Sequence, residues 1–207
     1  FVCFGTLEIM DTVSGTLCGA LATLRMTPKR RVRNRAIMDK QASRVDSMAN
    51  ERITEDMVDD GLRALGFYND EDAVVVEKQQ SNIAAIRKAL QRASKQGRGG
   101  AGYPEYIITA PSTPDMVVIV ECKAEVRRHE SSDLSNPRDY AVDGVLHYAR
   151  FLSPLYTVIS IAVSGTQSSN RWSFFVTPKG QIEAKPLLSP SGAEIVDLVP
   201  MDDLIRA

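Results

Sequence analysis

The sequence predicts an α/β fold in which helices alternate with short β-strands from about residue 50 onward. Apolar residues recur at helical spacing after Asn50. Two β-rich runs, Tyr103 to Ala110 and Asp115 to Glu121, flank a four-residue connector with proline at both ends, which is typical of a hairpin. The composition, 43% hydrophobic and 25% charged, is that of an ordinary globular protein.

Length and charge exclude several classes of protein. With 207 residues and a formal net charge of −1, the chain can form one domain with extensions or two small domains. No apolar run approaches the roughly 20 residues of a membrane-spanning helix, so no membrane partner is expected. The near-neutral charge excludes a wholly basic DNA-coating protein but is compatible with a local basic patch.

The cysteines and histidines indicate a reducing compartment and exclude two kinds of site. Cys3, Cys18 and Cys122 are widely separated and form no CxxC pair, so neither a disulfide framework nor a zinc site is expected. Two histidines are few for a histidine-based metal nuclease or a Ser-His-Asp hydrolase, and a GxSxG motif is absent. We therefore predict a cytoplasmic protein.

The first 37 residues differ from the rest of the chain. A basic run from Lys29 to Arg35 follows a mildly apolar stretch, which is the reverse of the order in a secretory signal. Such a run is typical of a phosphate-binding arm or a nuclear address, and the simpler alternative is a lead-in without stable structure. We expect 1–37 to be a poorly structured or non-native lead-in and 38–207 to be the domain, cut from a larger protein.

Periodicity and turn residues predict the remaining elements. A first helix ends at Gly66 and has an apolar face of Ile53, Met57, Val58, Leu62, Leu65 and Phe67. A strand is predicted at Val74 to Val76, and a second helix at Ile83 to Gln96 with inward Ile83, Ile86 and Leu90 and outward Arg87, Lys88, Arg92 and Lys95. After the hairpin we predict a helix at Asp139 to Leu152, strands at Tyr156 to Val163 and Trp172 to Thr177, a short piece at Gln181 to Glu183 and a helix from Met201 to Arg206.

Four basic residues in loop regions are candidate contacts to a DNA backbone. The segment from Gly97 to Gly102 fits GxGxxG by letter, but it follows a helix and opens a strand, so a dinucleotide site is not expected. A flexible loop of this kind can approach a phosphate backbone. The candidates are Lys95, Arg98, Arg127 and Arg128, and the alternative is that they are solvated surface charges.

The second strand of the hairpin carries the most informative residues. Residues two apart in a strand point to the same side, so Glu121 and Lys123 share one face and Cys122 lies on the other. The apolar residues before them imply burial. A buried carboxylate and ammonium must be paired or must have a function.

The expected hairpin register brings a second carboxylate to Glu121. If the connector is centred near residue 113, antiparallel pairing places Glu105 opposite Glu121, with Cβ atoms roughly 5 Å apart. Two carboxylates at that distance repel each other unless a cation lies between them, and an all-oxygen pocket suits Mg²⁺. Asp115 also follows a proline, but it lies about 20 Å along the same strand and cannot share a metal with Glu121.

These residues resemble a known group of enzymes. Pro104-Glu105 followed by Glu121-Cys122-Lys123 is similar to the motif of the PD-(D/E)XK nuclease superfamily, in particular the N-terminal nuclease domains of restriction-modification proteins, type I-like or fused to a methyltransferase. The resemblance extends over about 51–177. It implies a mixed central β-sheet flanked by helices, a restriction-endonuclease-like αβββαβ core, and Mg²⁺-dependent hydrolysis of DNA phosphodiester bonds, with Mn²⁺ as a substitute.

The resemblance also implies a role for each residue. Glu105, Glu121 and the Cys122 carbonyl bind the metal, and Glu55 in the preceding helix assists directly or through water. Lys123 orients the attacking water or stabilises charge on the phosphate, which makes Glu105, Glu121 and Lys123 the catalytic set. The alternative for Glu55 is a place among the acidic residues of a solvated helix face.

Two positions depart from the family pattern and keep other functions open. Glu105 stands where the family usually has aspartate, and Gly144 stands four residues before Tyr148, where some members have glutamine. One alternative is a catalytically inactive DNA-binding or assembly module, and another is a structural domain with a buried Glu121–Lys123 pair. The expected partners are DNA and covalently linked methyltransferase or helicase domains. The sequence leaves dimerisation for double-strand cleavage open.

Overall fold

The computed structural model describes residues 51–96 and 99–207, so the expected lead-in 1–37 lies outside the described residues. The helices are α1 (51–64), α2 (Ala84–Leu90), α3 (Ala141–Leu152) and α4 (Met201–Arg206), with a 3₁₀ turn at Val126–Arg128. The strands are β1 (Val75–Lys78), β2 (Tyr106–Thr109), β3 (Met116–Lys123), β4 (Thr157–Thr166), β5 (Ser169–Thr177) and β6 (Lys185–Pro186). Among the described helices, none is both long and apolar enough to cross a membrane.

The strands form one mixed sheet. Six strands lie side by side in chain order, and every neighbouring pair is antiparallel except β3 and β4. The parallel pair requires a crossover, and α3 provides it between β3 and β4. The expectation of an α/β fold with helices around a mixed sheet is confirmed at this level, and the sheet is mostly antiparallel.

Helices cover both faces of the sheet, and β3 is the strand buried between them. Val118, Val120 and Cys122 belong to the core cluster that contains the buried face of α1. Val117 and Ile119 belong to the cluster formed with α2 and α3. Because side chains alternate along a strand, the next odd-numbered residue, position 121, is directed toward the α2–α3 side.

The second helix is shorter than predicted. It ends at Leu90, whose carbonyl accepts hydrogen bonds from the backbone N–H groups of Ala93 and Gly102. A side chain at Gly102 would meet the Ala93 oxygen at 2.4 Å and the Tyr148 ring at 2.5 Å, so only glycine allows this approach. Residues 91–96, predicted as the last turns of the helix, form turns and irregular backbone instead.

Several individual expectations about the helices and late strands are wrong. Ile53 and Ile83 are 48% and 40% exposed, although both were expected to face inward. Strand β4 continues past its predicted end at Val163, and β5 begins before Trp172, because Ser164, Gly165 and Thr166 pair with Arg171, Asn170 and Ser169 on the sheet ladder. The short last strand lies at Lys185–Pro186 and not at Gln181 to Glu183.

Candidate functional site

The register of the β2–β3 hairpin agrees with the one expected from the sequence. Tyr106 pairs with Val120 and Ile107 pairs with Ile119. Glu105 lies just before the first paired residue of β2, and its backbone N–H donates to the Val120 carbonyl at 3.0 Å, one residue short of the expected partner Glu121. The hairpin therefore brings the two carboxylates to neighbouring positions at the end of the sheet pairing.

The Glu121 carboxylate is the most deeply buried charged group of this region, with 0% of the residue exposed. Its Oε1 atom accepts a hydrogen bond from Lys123 Nζ at 2.9 Å and forms a second ion pair with Lys95. Its Oε2 atom is buried and has no hydrogen-bond partner among the described residues. A carboxylate oxygen buried without a partner is costly, and it is a vacant acceptor for a cation or a proton.

Lys123 is held between two carboxylates. Its ammonium donates to Glu121 Oε1 at 2.9 Å and to Glu51 Oε1 at 2.8 Å. Burial alone lowers the pKa of Lys123, but Glu121 and Glu51 outweigh that effect and raise the pKa above its usual value. Lys123 is therefore a fixed positive charge at the end of β3, oriented from two sides.

The surroundings of Glu105 raise the pKa of its carboxyl group. Burial, followed by the repulsion of the Glu121 carboxylate, raises the pKa of Glu105 to about 8, against the opposing influence of Lys95 and Lys123. In the absence of another cation, Glu105 is therefore mostly protonated at neutral pH. A divalent cation beside the two groups would favour the ionised form of Glu105 and so lower this pKa.

Two hydrogen bonds place the acidic residues of α1 beside the sheet. The buried Thr54 hydroxyl contacts the Gly165 carbonyl at 2.6 Å and the Lys123 carbonyl at 3.3 Å, at the adjacent ends of β3 and β4. The Tyr106 hydroxyl donates to the Glu55 carbonyl at 2.7 Å. These contacts fix the helix turn that carries Glu51 and Glu55.

Glu55 lies near the carboxylate pair without contacting it directly. Burial and then Glu51 raise the pKa of Glu55, and Glu55 in turn adds to the raised pKa of Glu105. Within 51–96 and 99–207, no group of three or more Asp, Glu, His or Cys side chains is arranged to hold a metal ion. The arrangement present is a two-carboxylate one, with the free Glu121 oxygen as its best available ligand.

Helix α3 packs directly on Glu121 through Gly144. A Cβ atom at this position would lie 3.1 Å from both Cγ and Cδ of Glu121 and 3.0 Å from the Pro137 carbonyl oxygen. Any side chain at this position would therefore press on Glu121 and require a shift of a few tenths of an ångström.

The structure places Lys95 differently from the expectation. Its ammonium forms an ion pair with Glu121 and lies 5.1 Å from the centre of the Tyr148 ring, and its side chain is only 18% exposed. The outward orientation predicted for Lys95 is therefore wrong, because the chain leaves the helix at Leu90. Tyr148 is itself buried, and its hydroxyl accepts a hydrogen bond from the Tyr103 backbone N–H at 3.2 Å.

The other predicted basic residues are not joined to this cluster. Arg127 is exposed and pairs with Glu125, and Arg128 lies 3.8 Å from both Glu125 and Asp139. Arg98 falls outside the described residues. Asp115, which the sequence excluded from the site, pairs with Lys179 at 2.8 Å before the first residue of β3.

Cys122 lies on the opposite side of β3, within the core formed with α1. It is fully buried, and burial raises the pKa of its thiol well above the usual value. The thiol is therefore a packing group and not a nucleophile. The predicted role of its backbone carbonyl is a separate matter and stays a prediction.

One member of the cluster, Glu51, was not identified from the sequence, and another, Lys95, was expected to point outward. Glu51 supplies the second carboxylate of Lys123, and its position four residues before Glu55 places both on one helix face, so helical spacing contained a usable signal. The inward position of Lys95 had no comparable signal, because it depends on where α2 ends. The ion pair between Lys95 and Glu121 could therefore be identified only from the tertiary structure.

Comparison with known proteins identifies one related enzyme. The chain is 31% identical to the "Type II restriction enzyme and methyltransferase RM.BcgI" of Heyndrickxia coagulans over an alignment of 131 residues, which covers 57% of this chain and 19% of the relative. The alignment thus spans about a fifth of the relative's length. No family model matches the chain. No solved structure matches it either.

Proposed function

We propose that this chain contains a metal-dependent DNA endonuclease domain of the PD-(D/E)XK type, the cleavage module of a restriction-modification enzyme. The observation that carries the proposal is the environment of Glu121. This fully buried carboxylate has one oxygen without a partner among the described residues, repels the nearby Glu105 carboxylate, and accepts a hydrogen bond from Lys123 through its other oxygen. A structural ion pair accounts for the burial of Oε1 but does not account for an Oε2 atom that is buried without a hydrogen-bond partner.

The fold and the relative support the same proposal. The elements α1, β1, β2, β3, α3 and β4 follow the order of the expected αβββαβ core, with α2 inserted between β1 and β2. The relative from Heyndrickxia coagulans is named as a restriction enzyme and methyltransferase. Since the alignment covers only part of that enzyme, a linked methyltransferase or helicase domain in the parent of this chain is part of the proposal.

The donor set suits a hard divalent cation such as Mg²⁺. Glu105 and Glu121 would hold it through carboxylate oxygens, with the Cys122 carbonyl as a third ligand and Glu55 through water. Bound there, the ion would polarise the scissile phosphate and lower the pKa of a water molecule. Mn²⁺, which accepts the same oxygen ligands, would serve as a substitute.

Lys123 and Glu51 would supply the other interactions that hydrolysis needs. Lys123, held as an ammonium by Glu121 and Glu51, would orient the attacking water or stabilise charge that develops on the phosphate. Glu51 fixes the direction of that ammonium. Cleavage would proceed by direct hydrolysis, without a covalent intermediate on the enzyme.

Cleavage of supercoiled plasmid by the full chain with Mg²⁺ or Mn²⁺ tests the proposal. We expect metal-dependent nicking or linearisation that EDTA abolishes and that Lys123→Ala reduces at least about 100-fold. Lys179→Ala is the matched control, because Lys179 also pairs with a carboxylate but at the opposite end of β3. Full activity in Lys123→Ala would show that the site assignment is wrong.

A second candidate is an inactive DNA-binding or assembly module with the same fold. It is favoured by the two ammonium groups on Glu121 Oε1 and by the lack of a three-carboxylate group in the described part of the chain. DNA binding without cleavage under any metal condition would support this alternative.

A dimer would be needed for simultaneous cleavage of both strands, and analytical ultracentrifugation with and without DNA would detect it.

A further inference from the structure

Two ammonium groups share one oxygen of Glu121, although the site has a second carboxylate with no cation of its own. Lys95 and Lys123 both pair with Oε1, while Oε2 has no partner. No ion pair within the described residues involves Glu105, although its carboxylate lies close enough to Glu121 to be repelled by it. Both ammonium groups therefore contact the same oxygen of Glu121 and leave its other oxygen without a donor among the described residues.

The two lysines are held very differently. Lys123 extends from the same strand as Glu121 and has a second carboxylate partner, Glu51, at 2.8 Å. Lys95 has Glu121 as its carboxylate partner and otherwise contacts the face of the Tyr148 ring. Its side chain is also the more exposed of the two, 18% against 9%. Lys95 is therefore the ammonium with fewer contacts to lose.

The backbone next to Lys95 is fixed on one side, because the Ser94 N–H donates to the Gly100 carbonyl at 3.0 Å. Lys95 follows the end of α2 and precedes a glycine-rich segment, in which Gly99 and Gly100 adopt positive φ angles of 75° and 112°. Neither glycine would meet a close contact if it carried a Cβ atom, the nearest atom being 3.8 Å from Gly100. Displacement of the Lys95 ammonium therefore needs only a change of its side-chain rotamer and no movement of this backbone.

A divalent cation and the Lys95 ammonium are incompatible neighbours. A dication between Glu105 and Glu121 would lie within a few ångströms of any ammonium bonded to Glu121, and their repulsion at that distance exceeds thermal energy severalfold. Lys123 is retained by Glu51. The geometry therefore makes Lys95 the group that must leave.

We propose that Lys95 is a displaceable counter-ion, whose ammonium neutralises the buried Glu121 carboxylate in the metal-free protein and is driven off when a divalent cation binds between Glu121 and Glu105. This inference rests on the proposed function, since it assumes the metal site. Lys95 acts on the metal affinity through Glu121 and is a positioning residue. The contact with Tyr148 keeps the released ammonium close to the site.

Titration of the full chain with Mn²⁺ by isothermal calorimetry tests the inference. Lys95→Met removes the competing charge and keeps the length of the side chain, so we expect Mn²⁺ to bind at least about fivefold more tightly than to the wild type. Lys88→Met, an exposed lysine on α2, is the matched control and should bind Mn²⁺ within about twofold of the wild type. A merely structural role of Lys95 predicts the opposite, weaker binding in Lys95→Met.

The outcomes separate this inference from the proposed function. If the wild type binds Mn²⁺ clearly and Lys95→Met binds it equally or more weakly, the proposed displacement of Lys95 is wrong, and the metal site itself still stands. No Mn²⁺ binding by any form overturns the metal site and the inference together. If Lys95→Met unfolds without metal, circular dichroism replaces calorimetry, and recovery of the fold by Mn²⁺ supports the inference while no recovery overturns it.

Discussion

At the scale of single residues, the site depends on one carboxylate that is bonded on one oxygen and free on the other. Glu121 is fully buried, and its free oxygen faces no hydrogen-bond donor in the described residues. Burial makes each of its interactions stronger than on the surface, and it makes an unpaired atom expensive. This imbalance is the physical reason for expecting a cation here, and it defines the experiments at this scale.

The raised pKa of Glu105 predicts that metal binding depends on pH. The pKa of Glu105 is about 8, so at lower pH the carboxyl group is mostly protonated. It must then release the proton before it can bind a cation. We therefore expect the Mn²⁺ affinity to fall as pH decreases from 8.5 to 6.5, by up to about tenfold per unit. Calorimetry across this range measures the slope. Glu105→Gln should bind Mn²⁺ weakly with little dependence on pH, and an unchanged slope in this variant would assign the proton to another group.

Gly144 predicts a second effect at this scale. The added methyl group of Gly144→Ala would press on the Glu121 side chain at 3.1 Å and displace its carboxylate. We expect about a tenfold loss of DNA cleavage in a folded protein, because small displacements of reacting groups are costly. Gly61→Ala in α1 is the control, since its nearest contact is 3.4 Å away on the Leu198 side chain. Equal activity in both variants would mean that Glu121 tolerates the shift.

At the scale of elements, the site forms where the ends of β3 and β4 meet the first turns of α1. The parallel pairing of the two strands places Lys123 beside Ser164, and the Thr54 hydroxyl contacts the backbone at both strand ends. A single buried hydroxyl thus links three elements. It determines where Glu51 meets Lys123.

Thr54→Val tests this link. Valine preserves the shape but leaves the Gly165 carbonyl without its donor, which should lower the free energy of unfolding by about 1–3 kcal/mol. Thr177→Val is the matched control, because the Thr177 side chain is equally buried but its hydroxyl has no hydrogen-bond partner. Urea denaturation of both variants measures the difference. A loss in Thr177→Val as large as that in Thr54→Val would assign the effect to packing.

At the scale of the whole molecule, a buried histidine connects the loop after β3 to the sheet. The two ring nitrogens of His129 lie 2.8 Å from the hydroxyl oxygens of Ser164 on β4 and Ser173 on β5. Burial, followed by the charge of Arg171, lowers the pKa of His129 to about 4. The folded protein therefore keeps this ring neutral.

The lowered pKa of His129 predicts acid sensitivity of the fold. The unfolded chain takes up this proton near its usual pKa of about 6.5, whereas the folded chain resists it until about 4, so the stabilisation is complete above 6.5 and is lost as pH falls toward 4. Between pH 7 and 4.5 we expect a loss of about 2 kcal/mol from this group. Comparison of wild type with His129→Gln by urea denaturation at both pH values isolates this contribution. A pH dependence that is the same in both proteins would contradict it.

The sequence by itself determined the hairpin and the residues at its end. Proline at both ends of a short connector predicted the hairpin, and the observed pairing of Tyr106 with Val120 agrees with the predicted register. Alternation of side chains along the strand placed Glu121 and Lys123 on one face, where their side chains form an ion pair. These features are local, so nearby residues are sufficient to specify them. The roles of the same residues in catalysis and metal binding stay predictions.

Only the tertiary structure decided which other groups reach that site. The end of α2 depends on the approach of Gly102 to Leu90 and Tyr148, and this approach turns Lys95 inward against the helical periodicity of its own segment. Glu51 reaches Lys123 because Thr54 anchors α1 across the ends of two strands. Contacts between residues far apart in the chain depend on how the helices pack on the sheet, and periodicity within a single segment carries no information about that packing.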